Sequence, residues 1–298
     1  MPAPAPLAHV GVVGLGLVGG SVARAVRRVW PAATVTGLDQ PDVIETARRA
    51  DAITRGVADL ADLDGADLVV LATPVPGILA HLEAAARAGF SSLLTDVGSV
   101  KRTVVETAAA RGVRRFVGGH PMAGDTRTGF AASRADLFAG RPWFVTAPPG
   151  AAGPAGEDDA RAVDALARAL GAEPVRMAAD AHDRLVAYLS HLPQLVSVAV
   201  MTAATEACGV EALGLSGSGF ADVTRLAASD GDLWSGILTA NHDYVEEAAR
   251  AVAAVLGRLG AARAQAPLVA AFLEANDARR RLDAATEARP DAARETTP

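Results

Sequence analysis

The chain has 298 residues, enough for more than one domain with a substantial core, and its net charge of −6 gives no reason to expect nucleic-acid binding. Its one cysteine, Cys208, excludes an intrachain disulfide and a cysteine metal cluster, and its six histidines are dispersed, so we expect no metal site. No apolar run reaches the ~20 residues that span a bilayer and no signal-peptide pattern opens the chain, which favours a cytoplasmic protein without a membrane partner.

The first predicted elements are a strand, a glycine turn and a helix in the sequence HVGVVGLGLVGGS at 9–21. Gly14 permits the tight turn, Gly16 lets a pyrophosphate approach the backbone, and Gly19 lets the helix pack closely on the strand. The pattern predicts a dinucleotide site, with a purely structural glycine turn as the alternative. The expected cofactor-binding residues here are Gly14, Gly16, Leu17, Val18 and Gly19.

An acid at the end of the second predicted strand indicates which dinucleotide binds. Asp39 follows the strand Thr34–Leu38 and lies about twenty residues beyond the glycine turn, where a carboxylate can bind ribose hydroxyls. The same carboxylate repels a 2′-phosphate, and Gln40 and Pro41 offer no arginine to receive one. We therefore expect NAD rather than NADP as the cofactor.

Strands and helices continue to alternate through the first half of the chain, which is typical of an α/β fold with a doubly wound parallel sheet. Ligands of such sheets bind beyond the carboxyl ends of the strands. Thr73 and Pro74 end the apolar strand 66–72 and are expected to contact the cofactor. His120 lies at the end of the strand 116–121. Further strands are predicted at 92–95, 141–147 and 173–177.

After residue 179 the strand signals stop and helical patterns follow. Helices are predicted at 182–208, 220–228, 233–259 and 267–282. Pro193 lacks an N–H and is expected to loosen the first of them. The predicted organisation is a dinucleotide-binding domain at 1–179, an all-helical domain at 180–283 and a disordered tail at 284–298.

A few polar side chains are candidates for the chemistry: Ser99, His120, His191 and Arg225. A histidine titrates near neutral pH and suits proton transfer, whereas the planar fork of an arginine matches the two oxygens of a carboxylate. Each residue also has a structural explanation. His120 could cap a strand, and His191 could be a hydrogen-bonded core residue. Arg225 could form an interface salt bridge, and Ser99 with Lys101 could cap and solvate a helix.

Short motifs recur along the chain from Val10 to about Leu282, in both predicted domains. They are GLGLVGGS at 14–21, DVGSVK at 96–101, GGHPMAG at 118–124, HD at 182–183, SHLPQ at 190–194, DVTRLAASD at 222–230 and LW at 233–234. In this order they resemble the prephenate/arogenate dehydrogenases of tyrosine biosynthesis. A single motif would be weak, but the ordered series is highly specific.

The resemblance implies a Rossmann-like domain followed by a helical domain for substrate binding and dimerisation, with the active site in the cleft between them and a homodimer as the assembly. It implies NAD(P)-dependent oxidative decarboxylation of a cyclohexadienol. His120 matches the catalytic histidine that hydrogen-bonds the ring hydroxyl, and Ser99 matches its polar partner. Arg225 matches the residue that grips a substrate carboxylate, and His191 the first histidine of the family's SHLPH motif.

Departures from the family pattern bear on the substrate. Gln194 stands where many members have the second histidine of SHLPH, and Thr126 stands where many have an acid, with Asp125 one place earlier. In the family these positions lie near the substrate side chain, where an acid would favour the ammonium group of arogenate. We therefore expect prephenate as the substrate and keep arogenate as the alternative.

Other classes of protein stay open at this point. A β-hydroxyacid dehydrogenase or imine reductase shares the two-domain plan but usually carries a lysine in the first helix of its second domain, and the helix from Asp183 to Ala207 has none. A non-catalytic NAD-binding protein would not need polar side chains at several strand ends together with Arg225.

Overall fold

The computed structural model describes residues 7–124, 127–146 and 154–287. These residues form two compact units. The sheet unit comprises the chain up to Asp183 together with Asp232–Ala240. The helical unit comprises Arg184–Gly231 and the chain from Asn241 onward.

One eight-stranded sheet organises the sheet unit. Its strands are β1 (His9–Val13), β2 (Thr34–Leu38), β3 (Arg55–Val57), β4 (Leu68–Leu71), β5 (Leu93–Asp96), β6 (Phe116–Pro121), β7 (Pro142–Thr146) and β8 (Glu173–Arg176). They lie in the order β3-β2-β1-β4-β5-β6-β7-β8. The strands β1 to β6 run parallel, which confirms the predicted doubly wound α/β fold.

The last strands refine that prediction, because β7 is antiparallel to β6 and β8 is parallel to β7. Parallel neighbours need a long crossover connection, usually a helix. The described part of 122–141, which joins β6 to β7, contains no α-helix, so the chain returns antiparallel.

The helices of both units follow in chain order. They are α1 (Leu17–Val29), α2 (Pro41–Arg49), α3 (Val75–Ala88), α4 (Arg102–Ala110), α5 (Pro154–Ala169), α6 (Ala179–Val186), α7 (Leu192–Cys208), α8 (Val210–Leu213), α9 (Ser218–Thr224), α10 (Gly231–Ala240), α11 (His242–Ala261) and α12 (Gln265–Glu287). A π-helical turn, Ala187–His191, precedes α7, and a 3-10 turn, Arg225–Ala228, follows α9.

Two buried clusters cover the two faces of the sheet, because successive side chains of a strand point to opposite faces. On β1, Val12 packs with Val22 and Val26 of α1 in the first cluster, whereas Val13 belongs to the second. The core therefore fixes the register of β1, and with it the position of the glycine turn that follows.

The predicted helix 233–259 is two helices, which break at Asn241 between α10 and α11. Trp234 and Ile237 of α10 pack into the second cluster of the sheet unit. This packing explains why Asp232–Ala240 belongs to the sheet unit although the sequence placed it in the helical domain. Similarly, α12 runs to Glu287, past the predicted start of the tail at 284, because Ala284 and Ala285 are strong helix formers.

The helix is loosened just before Pro193, as the missing N–H of the proline predicts, and it takes the form of a π turn there. The Leu192 N–H bonds back to the carbonyl of Ala187, five residues earlier. A wider turn of this kind accommodates the proline ring without ending the helical run.

The helical run Ala179–Cys208 is long and apolar enough to cross a membrane by length and composition alone. The expectation that no run satisfies these criteria is therefore wrong. Only 28% of its most apolar window is buried. Other parts of the helical unit expose large apolar side chains too, among them Val210, Leu215, Phe272, Leu273 and Leu282. The helical unit thus presents a broad apolar surface that the described part of the chain leaves uncovered.

Candidate active site

The glycine turn after β1 has the geometry of a phosphate-binding loop. Gly14 adopts φ +88°, and a Cβ there would lie 2.8 Å from the carbonyl oxygen of Ala72. A Cβ on Gly19 would lie 1.9 Å from the carbonyl oxygen of Gly14. A Cβ on Gly16, by contrast, would meet nothing within 4 Å. The outer two glycines therefore serve close backbone packing, and the middle one leaves room for a ligand.

The first turn of α1 is free to receive an anion. The helix begins at Leu17 with Val18 beside it, Gly16 caps it without a side-chain hydrogen bond, and its first turn has no acidic residue. The N–H groups and the dipole of such a helix start favour a phosphate.

Thr73 and Pro74 lie next to this turn, at the carboxyl end of β4. The buried Thr73 hydroxyl has no hydrogen-bond partner among the described residues, and its Cγ2 lies 3.0 Å from where a Gly14 Cβ would be. Pro74 precedes α3 and is exposed. An orphaned hydroxyl beside an open glycine turn fits a dinucleotide that supplies polar partners.

Asp39 follows β2 as predicted, and its carboxylate also holds the glycine turn. One oxygen accepts the N–H of Leu15 at 2.5 Å, and the other accepts the N–H of Gln40 at 2.6 Å. The carboxylate thus lies beside the turn, on the side of β2 where ribose hydroxyls are bound in dinucleotide sites.

A buried ion pair joins the end of β5 to the residue that precedes α4. Asp96 and Lys101 are both fully buried, and the Lys101 ammonium donates to Asp96 Oδ2. Asp96 also accepts the N–H of Gly98 at 2.8 Å and that of Gly119 at 3.0 Å. Burial lowers the pKa of Lys101, while the adjacent Asp96 opposes that shift. Asp96 therefore anchors the strand residue that precedes His120.

The burial of Lys101 rules out one alternative that the sequence left open. A solvated helix cap was the structural explanation considered for Lys101 together with Ser99, yet the Lys101 side chain lies inside the sheet unit. A signal was available in the sequence, because Lys101 is the only lysine among 28 basic residues. An arginine-rich chain that keeps one lysine indicates a position where a compact ammonium is needed.

His120 is connected to a second histidine and an acid of the sheet unit. Its Nδ1 lies 2.9 Å from Nε2 of His182, whose Nδ1 lies 2.7 Å from Oδ1 of Asp183. The Asp183 carboxylate also accepts the N–H groups of Lys101 at 2.7 Å and of Arg102 at 2.9 Å. His120 is 8% exposed, whereas His182 and Asp183 are fully buried.

Aromatic packing completes the surroundings of the two histidines. Phe144 of β7 meets the His182 ring edge-on, with ring centroids 5.0 Å apart. Burial lowers the pKa of His182, against the opposing effect of Asp183. This environment favours a neutral His182. Ser99 lies in the connection between β5, which ends at Asp96, and α4, and it is half-buried.

In the helical unit, His191 and Gln194 are buried and hydrogen-bonded. His191 Nδ1 lies 3.2 Å from Nδ2 of Asn241. The Gln194 amide donates to the carbonyl of Leu226 at 2.7 Å and accepts from the hydroxyl of Ser229 at 3.3 Å. Gln194 therefore stabilises the 3-10 turn that begins at Arg225.

Arg225 is exposed at the start of the 3-10 turn, and no carboxylate of the described residues pairs with its guanidinium. It is thus available to an external carboxylate. Thr126 and Asp125 lie outside the described residues. Within the described ranges, no group of three or more His, Cys, Asp or Glu side chains is arranged to hold a metal ion.

Family models match both halves of the chain. Residues 22–178 match the nucleotide-binding domain of prephenate dehydrogenase, and residues 178–264 match its dimerization domain. A prephenate dehydrogenase of Bacillus subtilis is 33% identical over 251 residues, which cover 78% of this chain and 64% of that protein. The chain thus spans less than two thirds of this relative's length.

Solved structures of similar proteins match over nearly their whole length. A prephenate dehydrogenase from A. aeolicus, in complex with hydroxyphenyl propionate and NAD+, is 28% identical with a TM-score of 0.85, over 93% of this chain and 99% of that one. A Synechocystis arogenate dehydrogenase is 28% identical with a TM-score of 0.78, over 91% of this chain and 98% of that one.

Proposed function

The chain belongs to the prephenate dehydrogenase family, and we propose that it oxidises and decarboxylates prephenate to 4-hydroxyphenylpyruvate with NAD. The observation that carries the proposal is the placement of His120. It lies at the carboxyl edge of the parallel strands, the edge that also holds the open glycine turn, and it is hydrogen-bonded to His182. A dinucleotide loop and a histidine base on one sheet edge suit oxidation of an alcohol.

NAD, when bound, supplies the hydride acceptor of the reaction. Gly16, Leu17 and Val18 would hold its pyrophosphate, because the helix start is open and uncapped there. Asp39 would bind the ribose hydroxyls and repel the extra phosphate of NADP. Thr73 would contact the cofactor through its orphaned hydroxyl.

In the proposed reaction His120 takes the proton of the ring hydroxyl at Nε2, as the hydride leaves the carbon that bears the hydroxyl. Ser99 supports that hydroxyl with a hydrogen bond. The ring carboxylate then leaves as carbon dioxide, and its bonding electrons complete the aromatic ring. The proton held by His120 can return to the phenolate oxygen, so the histidine is regenerated. Arg225 holds a carboxylate of the substrate.

Prephenate is favoured over arogenate by the chemistry around Gln194. An ammonium group needs an acidic or acceptor partner, and both ends of the Gln194 amide already bind protein groups. Arogenate stays the alternative substrate, because the carboxylate of Asp125 would suit its ammonium group. A β-hydroxyacid dehydrogenase is disfavoured, because the chain's only lysine is buried with Asp96.

We also propose a homodimer formed by the helical unit. The exposed apolar surface of that unit and the match to a dimerization domain support it. Light scattering should give twice the mass of one chain, without detergent. A monomer, or a protein that needs detergent to stay in solution, would contradict it.

Initial rates of NADH formation test the proposed reaction, with prephenate and arogenate supplied in parallel and NADP compared with NAD. We expect turnover with prephenate and NAD, and His120→Asn should abolish it while NAD still binds. No turnover with either substrate would overturn the proposal.

A further inference from the structure

The buried pair His182 and Asp183 does not touch the substrate in the proposed reaction. Both side chains are fully buried in the sheet unit. Burying ionisable groups is costly unless each is paired. A pair of this kind in contact with the proposed base therefore calls for a chemical explanation.

The hydrogen-bond partners determine where the protons lie. The Asp183 carboxylate already accepts the backbone N–H groups at 101 and 102, and as a carboxylate it only accepts, so His182 Nδ1 must donate to it. Neutral His182 then has an unprotonated Nε2. His120 Nδ1, 2.9 Å from that atom, must in turn donate. Neutral His120 therefore carries its lone pair on Nε2.

We propose that His182 and Asp183 are positioning residues, which hold His120 in the tautomer whose Nε2 accepts the substrate's hydroxyl proton. The inference rests on the proposed function, in which His120 is the base. In the step itself the substrate O–H bond breaks and an N–H bond forms at His120 Nε2. The resulting imidazolium keeps its Nδ1–H bond to His182, and the Asp183 carboxylate stabilises the new positive charge through that bond.

The surroundings of His182 suit this role. The ring of Phe144 packs against it, and the charged groups that act on it are Asp183, Asp96 and Lys101. Burial is the main influence and lowers the pKa of His182. A neutral His182 is the acceptor that His120 requires, whereas a doubly protonated one would repel the imidazolium.

Asp183→Asn tests the proposal, because it removes the negative charge that stabilises the His120 imidazolium. Oδ1 of Asp183 accepts from both His182 Nδ1 and the Lys101 N–H, so an amide oxygen in its place keeps both bonds and leaves the tautomer of His120 unchanged. The variant therefore keeps the geometry and loses the charge. We expect kcat/KM for prephenate to fall on the order of 10²-fold, with NAD affinity unchanged.

A matched control separates this effect from simple loss of a carboxylate. Asp64 also accepts two backbone N–H groups in the sheet unit, from Ser91 at 2.9 Å and Ser92 at 3.1 Å. Asp64→Asn should lower the unfolding temperature without changing kcat/KM or its pH profile. His182→Phe keeps an aromatic ring at this position but removes the nitrogen that accepts from His120 Nδ1. It should lower kcat/KM and move the acid limb of its pH profile to lower pH.

Nitrogen NMR of the isotope-labelled histidines reads the tautomer directly, without substrate. The chain has six histidines, so the spectrum is simple, and His120→Asn identifies the signals of His120. We expect an unprotonated Nε2 in the wild type and in Asp183→Asn, and a partly protonated Nε2 in His182→Phe, where His120 Nδ1 has lost its acceptor. A wild type protonated at Nε2, or an Asp183→Asn protein with normal kcat/KM, would overturn the inference. A wild type inert toward both substrates would instead overturn the proposed function, whatever the tautomer.

Discussion

Breaking the buried Asp96–Lys101 pair should destabilise the sheet unit strongly. Asp96→Asn leaves the Lys101 ammonium fully buried without its counter-charge. Removing one partner of a buried pair typically costs about 3–5 kcal/mol. The loss of stability in Asp96→Asn cannot exceed the cost of deprotonating Lys101, because a neutral amine leaves no unpaired charge. Releasing a proton at about pH 7 from a group with an ordinary pKa of 10.5 costs about 5 kcal/mol.

Lys101→Met should cost less, about 2–4 kcal/mol, because the Asp96 carboxylate keeps the N–H groups of Gly98 and Gly119. The double variant Asp96→Asn with Lys101→Met removes both charges. Its loss should be smaller than the sum of the single losses by roughly 2 kcal/mol, the coupling expected for groups in contact.

Tryptophan fluorescence in a urea titration measures these losses selectively. The chain has three tryptophans, and Trp30, Trp143 and Trp234 all lie in the sheet unit. Circular dichroism follows the helices of both units in the same titration. Single variants as stable as the wild type, or losses that simply add in the double variant, would refute the reasoning that this pair is buried and coupled.

Further outcomes follow from the glycine turn, a buried histidine and the exposed arginine. Gly19→Ala should lower the unfolding temperature, because its Cβ would lie 1.9 Å from a carbonyl oxygen, whereas Gly16→Ala should fold normally and lose NAD affinity in a fluorescence titration. Burial lowers the pKa of His182 below its ordinary 6.5, so the unfolded chain binds this proton first. Stability should therefore fall as pH drops from about 6.5 toward the folded-state pKa, and His182→Phe should flatten this decline; an equally steep decline in the variant would contradict it. Arg225→Lys should raise KM for prephenate about 10-fold or more and leave KM for NAD unchanged, because only the arginine fork binds both carboxylate oxygens.

Local sequence patterns were enough to predict the parts of the fold that depend on neighbouring residues. The glycine turn at 14–19, the strand that carries His120 and the loosening of the helix before Pro193 all follow from backbone constraints within a few residues. The break at Asn241 was missed, because the apolar pattern continues through it and no glycine or proline marks it. Its cause is the packing of α10 on the sheet, which is a long-range contact.

The same distinction between local patterns and long-range contacts applies to the candidate site. Motifs predicted where His120 and the HD pair fall in the chain, but not that they are hydrogen-bonded, because His182 lies 62 residues from His120. The burial of Lys101 was also not predictable from the sequence, since a lysine is almost always exposed unless an oppositely charged partner compensates for its desolvation. That partner, Asp96, is identified only when the turn between them is folded.

The formation of NADH from prephenate tests the central claim most directly, measured for the wild type and for His120→Asn at equal NAD saturation. We expect turnover by the wild type with release of carbon dioxide in equal amount, and none by the variant, although both bind NAD. Full activity in His120→Asn would contradict the assignment of the base, and an inert wild type would contradict the proposed reaction.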